Sequence, residues 1–188
     1  MGNMPPLETE RLNVRELVMD DLENVNRILN EAFESNMPRE ARAAWLQWTT
    51  MGYEQFSNLA QPPLGERGFA LKDTGEMIGV VGIVPYVYPF SLYPYFGGQT
   101  TGTTSAKIGL FWATDPSYHG KGFATEAASA VINYLFTQQR LDCVIATTEY
   151  ENLASQAVMH KLGMKVERNP NDGPPWAQIL GILENPNA

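Results

Sequence analysis

The sequence contains one cysteine, Cys143, and two histidines, His119 and His160, in 188 residues. A single thiol excludes an intramolecular disulfide and fits a reducing compartment, the cytoplasm. Its setting in LDCVIAT predicts a buried strand position rather than a nucleophile. Neither histidine has a histidine or cysteine partner at ligand spacing, so no metal centre is expected. Basic residues are scarce: 13 Lys plus Arg stand against 21 Asp plus Glu, for a net charge of −8. With no basic cluster, nucleic-acid binding is not expected. No apolar run approaches the roughly 18 residues of a membrane helix. The opening MGNMPP has no charged-then-apolar leader pattern, and Pro6 stands where a myristoylation signal needs Ser or Thr.

What is present is 44% hydrophobic and 18% charged residues, the composition of a soluble globular protein. The length predicts one domain over residues 1–188, with an ordered core from about residue 8 to about residue 184 and short flexible termini. An acidic surface suits a cationic partner such as an amine, and it equally suits bare solubility.

Alternation in ERLNVREL (Glu10–Leu17) puts Leu12 and Val14 on one face of a strand. Asp20 then reads as the cap of a helix, with Glu23 completing a capping box. Leu22, Val25, Leu29, Ala32 and Phe33 would line its inner side. Pro38 opens a second helix carrying Trp45, Trp48 and Tyr53, and the i, i+3 spacing of the tryptophans points to core packing. RGFALKD and EMIGVVGIV, split by Thr74 and Gly75, predict an antiparallel hairpin. A long segment follows with six aromatics: Tyr86, Tyr88, Phe90, Tyr93, Tyr95 and Phe96. A structureless loop of that length is usually functional, here a lid over a substrate pocket or a homodimer contact.

Ser105–Thr148 reads as strand, helix and strand, a crossover between parallel strands. A shorter helix runs from Asn152 to a glycine stop at Gly163, and MKVER and WAQILGILE supply two last strands. The order is a mixed α/β sheet of about seven strands, mostly antiparallel, with flanking helices and one parallel pair.

Between the crossover's first strand and its helix lies YHGKGFATEA (Tyr118–Ala127). First-turn N–H groups lack intrahelical acceptors and carry the positive end of the helix dipole, so a glycine loop in front of them suits a phosphate. The spacing matches neither GxxxxGK[ST] nor GxGxxG. Taken alone, the loop is equally a tight turn or an anion cradle.

Three segments taken together, TERLNVRELVMDD, IGLFWATDPSYHGKGFATEA and ENLASQAVMHKLGM, resemble the GNAT superfamily of N-acetyltransferases, with the RimJ/RimL-like branch nearest. The likeness runs from Glu8 to about Glu167. It implies acetyl-CoA as donor and a sheet whose fourth and fifth strands splay to admit the pantetheine arm. It also implies that His119, Gly120, Lys121, Gly122, Phe123, Ala124 and Thr125 cradle the pyrophosphate. Trp112, Ala113 and Thr114 would hydrogen-bond the pantetheine, and Asn152 and Ser155 would face the cofactor near the thiol. The sequence departs from the family in three places. His119 replaces an Arg or Gln, Met159 stands where many relatives carry a Tyr acid, and Lys107 stands where branch members often have Glu.

Attack by an amine needs a neutral nitrogen. Glu149 and Glu151 are the carboxylates to consider as base, and Ser155 or Tyr150 as proton donor to the thiolate. Glu126, in the first helical turn, would repel a pyrophosphate and is expected to make helix-start contacts or to face the cleft. Acceptor choice would fall to Trp45, Tyr86 and Tyr88. The expected function is therefore acetyl transfer to a protein N-terminal or small-molecule amine by direct attack in a ternary complex. A non-catalytic acyl-CoA-binding protein and a longer-chain acyltransferase are the alternatives.

Overall fold

The computed structural model describes residues 4–188, so the reading of the first three residues lies outside it. The elements run β1 (Leu7–Glu8), β2 (Leu12–Glu16), α1 (Leu22–Ala32), α2 (Arg39–Asn58), β3 (Gly65–Leu71) and β4 (Met77–Tyr88). Then follow β5 (Ser105–Thr114), α3 (Phe123–Thr137), β6 (Cys143–Thr148), α4 (Leu153–Lys161), β7 (Lys165–Arg168) and β8 (Ile179–Glu184). The eight strands form one sheet in the order β1-β2-β3-β4-β5-β6-β8-β7. β5 and β6 pair parallel, while β1/β2, β2/β3, β3/β4, β6/β8 and β7/β8 are antiparallel. The strand beyond the expected seven is β1, two residues that pair with Asn13 and Val14.

The chain divides into two compact units, one of residues up to Ile83 with Trp112–Val131, the other of Val84–Phe111 with Ile132–Ala188. In the first unit, Leu12 and Val14 of β2 are fully buried, as alternation requires, with Phe69 of β3 and Ile78 and Val80 of β4. Gly79 of β4 marks a close approach: a Cβ there would lie 1.9 Å from the Phe69 ring and 2.6 Å from the Ala113 carbonyl oxygen. The α1 start differs from expectation. Asp21, not Asp20, organises it, accepting the Val18 N–H (2.9 Å) and both Arg15 guanidinium nitrogens (2.7 and 2.8 Å). Glu23 instead pairs with Arg39. α1 buries Leu22, Val25, Ile28 and Leu29, whereas Ala32 is exposed and Phe33 is 56% exposed. α2 buries Arg42, Leu46, Thr49 and Tyr53, so Trp48 is 62% exposed and Trp45 only half-buried. The tryptophans therefore do not form the helix's core face.

In the second unit the aromatic segment is not a loop throughout. β4 continues to Tyr88, and two 3-10 turns, Phe90–Leu92 and Pro94–Phe96, follow. Phe90 and Tyr93 are buried against Ile145, Leu180 and Ile182. The Tyr93 hydroxyl donates to the Ala177 carbonyl (2.6 Å), and the Tyr95 N–H donates to the Glu167 carboxylate (2.9 Å). Cys143, at the start of β6, is half-buried rather than buried. β6 is otherwise nearly all core, as a continuous apolar run predicts.

Candidate active site

In the first unit, β5 ends at Thr114, whose hydroxyl oxygen is buried without a protein partner. The next residue, Asp115, starts a one-turn 3-10 helix by accepting the Ser117 N–H at 2.8 Å. Its other oxygen meets Arg27 at 2.6 Å, and its own N–H donates to Ile78 of β4 at 2.8 Å. Burial opposes ionisation of Asp115, but the Ser117 N–H and the Arg27 guanidinium hold it below the usual carboxylate range.

His119 closes the turn. Its Nε2 lies 2.8 Å from the Thr114 carbonyl oxygen, and since a carbonyl only accepts, Nε2 carries the proton. Lys121 likewise folds back, donating to the Ser117 carbonyl (3.1 Å) and lying over the Tyr118 ring (4.8 Å). The Tyr118 hydroxyl in turn donates to Glu76 (2.8 Å). The side chains expected at the phosphates thus brace the turn. Gly120 (φ 73°) and Gly122 (φ 84°) are both left-handed, where a side chain is strained. A Cβ on Gly120 would meet nothing within 4 Å, so conformation and not crowding requires that glycine. The Glu126 N–H donates to the Gly122 carbonyl (3.0 Å), which leaves Phe123, Ala124 and Thr125 as the first-turn donors of α3.

Sequence reasoning missed Arg11. In the turn between β1 and β2, its Nε and Nη2 contact Glu126 Oε2 at 2.7 and 2.6 Å, and its N–H donates to Oε1 at 2.8 Å. Its Nη1 donates to the Lys121 carbonyl (3.1 Å), and the guanidinium lies 4.3 Å over the Phe123 ring. The Thr9 hydroxyl also donates to Glu126 Oε1 (2.5 Å). Burial pushes the Glu126 pKa up, yet these donors hold it below the usual range. The clue was an acidic residue in the first turn of the helix behind the glycine loop, which asks for partners.

These two carboxylates give one pH prediction. Their folded pKa values lie below the ordinary value of about 4, so their stabilisation is present at neutral pH and lost as pH falls through the carboxylate range. The melting temperature should drop between about pH 5 and about pH 3, with a shallower slope in Asp115→Asn. An identical slope in the variant rules out this account.

In the second unit, the Asn152 side chain caps α4 by accepting the Ser155 N–H at 3.0 Å. Asn152 is exposed and Ser155 half-buried. Glu149 and Glu151 are exposed, and the Glu149 carbonyl accepts the Asn152 N–H (3.3 Å). The Tyr150 hydroxyl faces the Asn169 carbonyl (3.3 Å) and the Asp172 carboxylate (2.9 Å), with Arg168 3.9 Å over its ring. Tyr86 stacks on Trp176 (5.8 Å) and fills the space above Gly109, where a Cβ would lie 2.4 Å from its ring. Tyr88 meets Trp176 edge-on (5.1 Å) and accepts from Asn169 (3.1 Å). Trp176, which sequence reasoning placed only at the start of the last strand, is 42% exposed. Trp45, in the first unit, lies beneath Arg42 (5.2 Å). Among the described residues no group of three or more His, Cys, Asp or Glu is placed to hold a metal, and no helix is long and apolar enough to cross a membrane.

Known proteins share this fold. The uncharacterized N-acetyltransferase YnaD of Bacillus subtilis (strain 168) is 43% identical over 75 residues, and the match spans only 40% of each chain. A GNAT-family acetyltransferase from Bacillus anthracis superposes with a TM-score of 0.71 at 20% identity, covering 96% of this chain and 99% of that one. RimL, a ribosomal L7/L12 alpha-N-protein acetyltransferase crystallised with coenzyme A, gives a TM-score of 0.70 at 12% identity over 96% and 98% of the two chains. At these identities the structural likenesses are of fold. The acetyltransferase (GNAT) domain family model matches residues 11–165, from Arg11 through the glycine loop and α4 to the start of β7, and the chain belongs to that family.

Proposed function

We propose that this chain transfers the acetyl group of acetyl-CoA to a primary amine by direct attack in a ternary complex, as a RimJ/RimL-like N-acetyltransferase. The observation carrying the proposal is the pair of left-handed glycines, 120 and 122, directly before α3. The fit is good on three counts. Gly120 faces open space, first-turn N–H groups follow it, and the partnerless Thr114 hydroxyl sits at the end of β5. Residues 119–125 would hold the pyrophosphate and Trp112–Thr114 the pantetheine. Asn152 and Ser155 would meet the thiol end.

Bound there, acetyl-CoA supplies an activated acyl group, and the protein's work is to orient the amine and manage its proton. An alkyl amine of pKa about 10.4 costs roughly 4–5 kcal/mol to deprotonate at pH 7, an α-amine near 8 only about 1. Glu149 is exposed, so the amine's proton would leave through water. The acceptor is therefore an α-amine, from a peptide N-terminus or an amino-acid-like small molecule. Ser155 is the favoured proton donor to the thiolate. The Tyr150 hydroxyl already faces Asn169 and Asp172. Aromatic contacts from Trp45, Tyr86 and Tyr88 would select the acceptor.

A second reading, a non-catalytic acyl-CoA-binding protein, draws on Met159. It occupies the position of the relatives' tyrosine acid and is fully buried. Calorimetric titration with acetyl-CoA, coenzyme A and ATP, followed by turnover on α-amine and alkylamine panels, separates the readings. Acetyltransferase function predicts binding of the first two ligands only, and turnover favouring α-amines. Binding without turnover on any amine supports the second reading, and no coenzyme A binding removes both.

A further inference from the structure

We propose that Arg11 is the counter-charge that lets the loop before α3 accept a phosphate, acting through Glu126 as a positioning residue. The inference rests on the reading that this loop takes the coenzyme A pyrophosphate. Glu126 is the acidic residue of the first turn of α3, where the helix dipole and free N–H groups would otherwise favour an incoming anion. An uncompensated carboxylate there opposes the ligand it should help to bind.

The geometry removes that conflict. Both Glu126 oxygens are turned to the β1–β2 turn: Oε2 to the Arg11 guanidinium at 2.6 and 2.7 Å, Oε1 to the Arg11 N–H at 2.8 Å and the Thr9 hydroxyl at 2.5 Å. The Glu126 side chain is only 17% exposed, so little solvent screens it. Arg11 also reaches the loop itself. Nη1 holds the Lys121 carbonyl (3.1 Å), occupying an acceptor that would otherwise add to the loop's negative partial charge. Nη2 lies 3.6 Å from the Cβ position of Gly122. Arg11 thus neutralises the helix start and fixes the peptide between the two glycines. A bare structural tie between the β1–β2 turn and α3 would use the same bonds, and the two roles differ in what Glu126 does once Arg11 is gone.

Binding of coenzyme A and steady-state kinetics with two donors, acetyl-CoA and S-acetyl-pantetheine, distinguish them. Arg11→Ala should weaken coenzyme A about thirtyfold and raise KM for acetyl-CoA similarly, because a lone carboxylate then faces the doubly charged pyrophosphate. It should leave kcat unchanged, and also KM for S-acetyl-pantetheine, which carries no phosphate. In Arg11→Ala/Glu126→Gln the affinity should return to within about fivefold of wild type, since the offending charge is gone. Arg11→Lys, which keeps the charge, covers a failure of the alanine variant to fold and should lose less than about tenfold. A double variant binding no better than Arg11→Ala overturns the inference, as does equal damage to both donors. Wild-type protein that binds no coenzyme A fails the underlying reading first, and that result is visible before any variant is made.

Discussion

Gly120→Asp should lower affinity for coenzyme A about a hundredfold, while Gly120→Asn changes it less than tenfold. The pair separates charge from conformation. Gly120 sits at φ 73°, a region that Asn and Asp tolerate better than other side chains, so both variants carry similar modest strain. A Cβ there meets nothing within 4 Å, so neither variant creates a clash. What differs is one negative charge, placed beside the N–H groups proposed to hold the pyrophosphate. At about 5 Å and an effective dielectric near 20, one charge pair is worth roughly 3 kcal/mol, close to a factor of a hundred, and solvent around the open loop screens the more distant second charge. Titration calorimetry at fixed ionic strength measures it, and raising the salt should shrink the gap between the variants. Equal losses in both would mean that the ligand does not use this loop's electrostatics.

Gly79→Ala should destabilise the fold by about 3 kcal/mol and lower the melting temperature by roughly 10 °C. The added methyl would fall 1.9 Å from Cζ of Phe69 and 2.6 Å from the Ala113 carbonyl oxygen. Phe69 is fully buried and has no solvent-side space to rotate into, and the second obstacle is backbone. β5 must therefore give way at Ala113, one residue before Thr114. Phe69→Leu, which removes the outer ring atoms, should restore part of the loss in the double variant. Thermal melts decide the matter, and an unchanged melting temperature would mean that β4 yields more easily than its packing indicates.

Local signals carried much of the architecture. Alternation found β2, the Thr74–Gly75 turn found the β3–β4 hairpin, and helical periodicity found α3 with the glycine loop ahead of it. Asn152 as the α4 cap was readable because an N-cap uses only its own neighbours. The misreadings have a common cause in α2, whose buried stripe is Arg42, Leu46, Thr49 and Tyr53. A helix face containing an arginine and a threonine is invisible to a search for apolar periodicity, so the tryptophans drew the inference to the wrong side. The aromatic segment was mistaken for a loop because its partners are remote: Ala177 lies 84 residues beyond Tyr93, and Glu167 lies 72 beyond Tyr95. Within the site, the tight turn ahead of α3 was legible from its two glycines. The contacts of His119 and Lys121 with the Thr114 and Ser117 carbonyls were not, since a positive side chain beside a glycine loop reads naturally as a ligand contact.

The ion pair between Arg11 and Glu126 joins residues 115 positions apart, and Thr9 reaches Glu126 across 117. Contacts of such separation form slowly, because loop-closure entropy is lost before they contribute. During synthesis the N-terminal turn leaves the ribosome first and waits for α3, with its guanidinium and hydroxyl unpaired. In refolding, helical signal from α3 should precede any competence to bind coenzyme A, with the lag set by docking of the β1–β2 turn. A chain trimmed as far as Arg11 would keep the glycines, the helix and the sheet's central strands, yet the loop would lose the frame that completes it last.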